Sequence, residues 1–103
     1  MVYVFCMEII QSETFKQWLA SIRDRATLMR INARIRRLSV GNFGDMKPVR
    51  DKVFELRVDC GPGYRLYCTR CGQLTIILLA GGDKSTQDRD IEKAIIIAKA
   101  WRN

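Results

Sequence analysis

From Val53 onward the hydrophobic period of the chain falls from that of a helix to two, and it keeps that period through three short segments joined by tight reversals. In "VFELRVD", Phe54, Leu56 and Val58 alternate with Val53, Glu55, Arg57 and Asp59. In "YRLYCTR", Tyr64, Leu66 and Cys68 fall on one side and Arg65, Tyr67 and Thr69 on the other, while "LTIILLA" is apolar throughout, as a strand buried on both faces is. The links "CGPG" and "RCGQ" are too short for crossovers, so the three segments read as successive antiparallel strands. Register permitting, Arg57 and Arg65 then share one polar sheet face.

The flanks carry helical periods. Val2 to Ile10, rich in β-branched and aromatic residues, reads as a first strand, and Ser12 or Glu13 can start a helix whose Phe15, Trp18, Leu19 and Ile22 share a face. A second helix is expected from about Asp24 to Leu38, burying Leu28, Ile31, Ile35 and Leu38, with Arg23, Arg30, Arg34 and Arg37 recurring along another side. That basic ridge is either a solvated helix face or a rail for phosphates. "SVGNFGD" ends the helix through Gly41 or Asn42, and Pro48 and Pro62 fall in connections. Gly81 and Gly82 are expected to end the last strand, with Ser85 or Thr86 capping a third helix. That helix has Asp88, Asp90 and Glu92 in its first turns and Lys99 and Arg102 in its last. Its packing stripe is Ile91, Ala94, Ile95, Ala98 and Trp101; Ile96 and Ile97 widen it and hint at cover from another protein. These elements make one α+β domain spanning residues 1–103.

Eighteen Lys and Arg against eleven Asp and Glu leave a net charge of +7, a field that attracts polyanions, with nucleic acid foremost and an acidic protein partner second. The longest oily run, Leu74 to Ala80, is too short to span a bilayer, and "MVYVFCMEII" lacks a basic leader, so the expected location is the cytoplasm. Cys68 and Cys71 have a Cys-x-x-Cys spacing, yet Cys6 and Cys60 are isolated and there is no histidine, so the four cysteines read as free thiols and no metal is expected. The lack of histidine also removes imidazole triads and paired-imidazole ribonuclease chemistry. No phosphate-binding or dinucleotide glycine fingerprint is present. The remaining tools, Arg, Lys, Tyr, Asp, Glu and Cys, suit cleavage of RNA. There the substrate's own 2′-hydroxyl can attack and the protein surrounds the phosphorane-like transition state with positive charge. A solvated lysine is protonated at neutral pH, so Lys84, after the last strand, reads as an electrostatic clamp or proton donor.

Three fragments in this order and spacing, Glu55-Leu56-Arg57, Gly63-Tyr64-Arg65 and Gly82-Asp83-Lys84-Ser85-Thr86-Gln87 with Asp90-Ile91 beyond, together with "FKQWL" in the first helix, resemble the HigB-like addiction-module killer branch of the RelE/ParE toxin superfamily. The resemblance covers nearly the whole chain. It implies two N-terminal helices packed on a twisted, mainly antiparallel sheet, with a C-terminal helix. It also implies a toxin of a type II toxin–antitoxin system that cleaves ribosome-bound messenger RNA without metal or cofactor, the ribosome orienting the message. The implied partners are a HigA-like helix-turn-helix antitoxin, through which the complex would bind operator DNA, and the ribosome. Arg65 and Lys84 match the family's catalytic cations, with Arg57, Tyr67 and Gln87 as supporting or substrate-binding residues. The ridge Arg23, Arg30, Arg34 and Arg37 would contact ribosomal RNA. The same superfamily also hosts ParE-like inhibitors of DNA gyrase that cleave nothing, and fold alone does not choose between the two activities.

Overall fold

A computed structural model describes residues 6–102. In chain order it runs β1 (Glu8–Gln11), α1 (Glu13–Ser21), α2 (Arg25–Ser39), β2 (Met46–Pro48), β3 (Phe54–Val58), β4 (Tyr64–Arg70), β5 (Thr75–Asp83), a 3₁₀ turn (Lys84–Thr86) and α3 (Gln87–Arg102). The strands form one five-stranded sheet in the order β1-β5-β4-β3-β2, antiparallel except where β1 lies parallel to β5. The three period-two segments are the antiparallel run β3-β4-β5. The first strand is shorter than its composition suggests: Cys6 and Met7 precede it, and the Val2–Phe5 part of the expected strand lies outside the described residues.

Ser12 closes β1 and opens α1, because its hydroxyl oxygen accepts from the Phe15 N–H at 3.1 Å and its O–H donates to the Leu79 carbonyl at 2.7 Å. α1 and α2 cover one sheet face. Phe15, Ile31 and Leu38 pack there on Leu56, Val58, Leu66, Cys68, Ile76 and Leu78, with Trp18, Leu19 and Ile22 at the margin. α3 covers the other face, setting Ile91, Ala94, Ile95 and Ala98 on Val53, Tyr67, Ile77, Leu79 and Ala80. The side of β4 expected to be polar is therefore roofed: Tyr67 and Thr69 are buried, the latter donating to the Lys52 carbonyl at 2.8 Å.

Four further expectations are corrected. The buried seam of α2 is Thr27, Ile31, Arg34 and Leu38, with Leu28 and Ile35 half-buried beside it. Thr27 tolerates burial because its hydroxyl donates to the Asp24 carboxylate at 2.6 Å. Trp101 is exposed instead of completing the α3 stripe, as is Ile96, and the Arg102 side chain lies outside those described. Pro48 ends a strand; it is tolerated because β2 is an edge with a partner on one side. Gly81 and Gly82 lie inside β5, which continues to Asp83.

A bulge explains that last point. Tyr67 pairs with Ala80 while Cys68 pairs with Leu78, so Leu79 is the extra residue of β5. Leu79 and Ala80 consequently both pack toward α3, and the alternation of the strand shifts by one. Gly81 then faces α1, where any Cβ would overlap the Trp18 ring, and Gly82 faces α3, where a Cβ would overlap the Asp90 carboxylate. The two glycines let both helices close on the strand end. Gly81→Ala should lower unfolding stability by about 1–3 kcal/mol, the usual range for overpacking. Urea titration checks this, and an unchanged midpoint would mean that Trp18 yields without cost. No helix among the described residues is long and apolar enough to cross a membrane.

Candidate functional site

The β3–β4 register sets Glu55 opposite Tyr67 and Arg57 opposite Arg65, all four on the α3 side of the sheet. Two guanidinium groups facing each other across a ladder repel. Here one carboxylate serves both: Glu55 Oε1 accepts from Arg65 Nε at 2.9 Å and from Arg57 Nε at 3.4 Å. Its Oε2 accepts from the Gln87 amide at 3.4 Å, which ties the start of α3 to the same group. The Glu55 and Arg65 side chains are 7% and 11% exposed, whereas Arg57 is 43% exposed. Both arginines are held through Nε, which leaves their outer N–H groups for other acceptors, apart from one Arg65 Nη1 bond to the Gly63 carbonyl at 3.5 Å. A small notch of about 80 Å³ at this end of the sheet is lined by Arg57, Val58, Asp59, Gly63, Tyr64 and Arg65.

Tyr67 lies under this cluster. It is fully buried and its hydroxyl has no hydrogen-bond partner among the described residues. Burial, then the Glu55 and Asp90 carboxylates, push the phenol above its ordinary range, so it stays neutral. Tyr67, expected as a supporting or substrate-binding residue, thus lies beneath the cluster with no exposed surface of its own.

Lys84 is exposed in the 3₁₀ turn, two residues past Gly82, the β5 partner of Arg65. The turn is fixed by Asp83, whose carboxylate accepts from the Ser85 N–H at 2.8 Å and hydroxyl at 2.5 Å. Those two bonds hold the Asp83 carboxyl below the usual carboxylate range. The cap's contribution is therefore present above the ordinary Asp value and fades only as pH falls through the depressed one. Lys84 opens into a groove of about 400 Å³ with Ser85, Thr86, Gln87, Asp88 and Arg89. Arg65 is ion-paired to Glu55 and Lys84 lines the groove at the start of α3, with Gln87 common to both groups.

The α2 arginines divide. Arg30 and Arg37 are exposed and, with Arg34, Asp45 and Asp59, line a groove of about 360 Å³ that Arg57 also borders, so this groove runs up to the Glu55 cluster. Arg30 Nη1 donates to the Asp59 carbonyl at 3.4 Å. Arg34, placed on the same ridge by periodicity, is instead 5% exposed, and its Nη2 donates to the carbonyls of Phe43 and Asp45. Its guanidinium pins the loop after α2 beneath the surface. Arg23 sits in the α1–α2 connection, before the helix. Glu55, which organises the cluster, was not singled out from the sequence. The signal was present, since Glu55 and Arg57 stand two apart in a period-two strand and so must share a face.

The fold is similar to that of one solved structure. A chain of the RelBE2 toxin–antitoxin complex from Mycobacterium tuberculosis superposes with a TM-score of 0.52 over 81% of this chain and 97% of that one, at 16% identity, a likeness of fold. No protein-family model matches the chain. An uncharacterized protein of Haemophilus influenzae is 48% identical over 93 residues, covering 90% of this chain and 94% of the relative, and the chain belongs to the family of that protein.

Proposed function

We propose that the chain is the toxin of a type II toxin–antitoxin pair, of the HigB-like branch, and that it cleaves ribosome-bound messenger RNA without a metal. The reading is carried by one observation: two arginines in register across β3 and β4, tethered by a single buried carboxylate, at the strand end from which Lys84 projects. A buried ion pair holds Arg65 in place, and the two guanidinium groups share one buried carboxylate, with Asp59 exposed at the edge of the notch. Such preorganised donors match the charge that develops on phosphorus-bound oxygens when a 2′-hydroxyl attacks the neighbouring phosphate. The 2′-hydroxyl gives its proton to water as its oxygen bonds to phosphorus; the bond from phosphorus to the 5′-oxygen breaks, Lys84 supplies a proton to that departing oxygen, and Glu55 positions the arginines. Neither step needs an imidazole.

The fold likeness to a component of RelBE2 supports a toxin paired with an antitoxin, here a HigA-like helix-turn-helix protein through which the pair would reach operator DNA. Arg30 and Arg37, with Arg23 ahead of them in the α1–α2 connection, suit ribosomal RNA backbone. Positioning of the message by the ribosome accounts for how sparse the protein's own site is.

In a translation extract with mapping of message ends, the native chain should generate new ends that Lys84→Ala largely removes, with no change in folding because Lys84 is exposed. Intact messages alongside stalled DNA gyrase would replace this reading with that of a gyrase inhibitor.

A further inference from the structure

A further cleft is larger than each of the grooves described above. β1 ends opposite Leu78, and the chain then turns into α1, while β5 runs on to Asp83 with only β4 beside it. A cleft of about 550 Å³ occupies the place where β1 would have continued. Ala80, Gly81 and Gly82 line it, between Thr14, Gln17 and Trp18 of α1 and Arg89, Asp90 and Lys93 of α3. Its size falls within that of small-ligand sites, about 300–1,000 Å³.

Its chemistry has two parts. Trp18 and Tyr64, both partly exposed, give it an aromatic wall, with ring centroids 6.2 Å apart and planes inclined at 58°. Across from them Arg89 and Lys93 lie one turn apart on α3, exposed, and neither forms an ion pair or hydrogen bond among the described residues. The carboxylates at the inner end are already engaged: Thr86 donates to Asp90 at 2.5 Å, and Ser85 holds Asp83. They do not neutralise the two cations through direct contact. An apolar ligand would leave Arg89 and Lys93 unused, and a bare phosphate would leave the aromatic wall unused. A flat heteroaromatic ring joined to a phosphate uses both.

We propose that this cleft binds a single unstacked nucleotide, its base against Trp18 and Tyr64 and its phosphate at Arg89 and Lys93. The cleft shares Tyr64 with the Arg57–Arg65 notch, and Thr86 and Arg89 with the Lys84 groove. A nucleotide next to the scissile bond would therefore reach it, and base preference in cleavage would be read there. Assigning the nucleotide to an RNA chain rests on the function proposed above; the nucleotide chemistry of the cleft does not.

The chain has two tryptophans, so Trp101→Phe leaves Trp18 as the sole reporter. In that background a short oligoadenylate should quench Trp18 emission saturably. Arg89→Ala and Lys93→Ala, both at exposed positions, should each weaken the affinity by about threefold to tenfold, as loss of one phosphate contact does. Adenosine monophosphate is titrated in parallel. Quenching by the oligonucleotide with far weaker binding of the monophosphate supports an RNA source, and equal affinities support a free nucleotide. An unaltered Trp18 signal overturns the proposal, whether or not the oligonucleotide is retained in a gel-shift measurement. Equilibrium quenching requires no cutting, so a chain that quenches but leaves messages intact keeps the cleft and loses the nuclease.

Discussion

Arg65→Ala should lower message cleavage by about 10²–10³-fold, the loss of about 2.7–4 kcal/mol seen when one preorganised donor to a developing oxyanion is removed. The size of the effect follows from its setting. Arg65 is mostly buried and held through Nε at 2.9 Å from Glu55, so its outer N–H groups are aligned before substrate arrives. Water filling the vacated space would have to reorient during the reaction, and that reorganisation raises the barrier. Arg65→Lys distinguishes charge from geometry. It restores a cation against Glu55 and should restore folding, but a point charge cannot replace a planar fork, and most of the rate should stay lost. Single-turnover cutting of a ribosome-bound message, with a thermal melt on each variant, measures both. Wild-type rates in a folded Arg65→Ala chain would remove Arg65 from the mechanism.

Glu55→Ala should destabilise the fold by about 3–5 kcal/mol, the range for removing one partner of a buried ion pair. The alanine leaves Arg65, 11% exposed, without its carboxylate and directly opposite Arg57. Part of that loss is repulsion between the arginines, so Glu55→Ala combined with Arg57→Ala should be more stable than Glu55→Ala alone. Chemical denaturation of the two singles and the double closes the cycle. Additive losses would show that Glu55 matters through packing or Gln87 and not as the shared counter-ion.

The sequence legibly carried the antiparallel run β3-β4-β5 and, register permitting, a shared face for Arg57 and Arg65, because a period of two together with short turns permits few arrangements; that the two pair directly came from the register. It also carried a helix start at Ser12 or Glu13, of which Ser12 is the cap, the apolar face of α1, and that of α3 apart from Trp101. Amphipathic spacing gave α2 an arginine ridge but could not say which arginine turns inward; Arg34 does so because the carbonyls of Phe43 and Asp45 lie within its reach. Glu55 was legible as a neighbour of Arg57, and its role as shared counter-ion was not, since that depends on α3 closing over the sheet and excluding water.

What the amino-acid order determined by itself is local: alternation, caps, turn lengths, the strand faces and the surplus of positive charge. Tertiary structure alone decided the bulge at Leu79 that turns Gly81 toward Trp18 and Gly82 toward Asp90, the seating of Arg65 on Glu55, and the cleft left where β1 stops short of β5. These depend on contacts between residues far apart in the chain, and a single residue of register changes which side chain meets which helix.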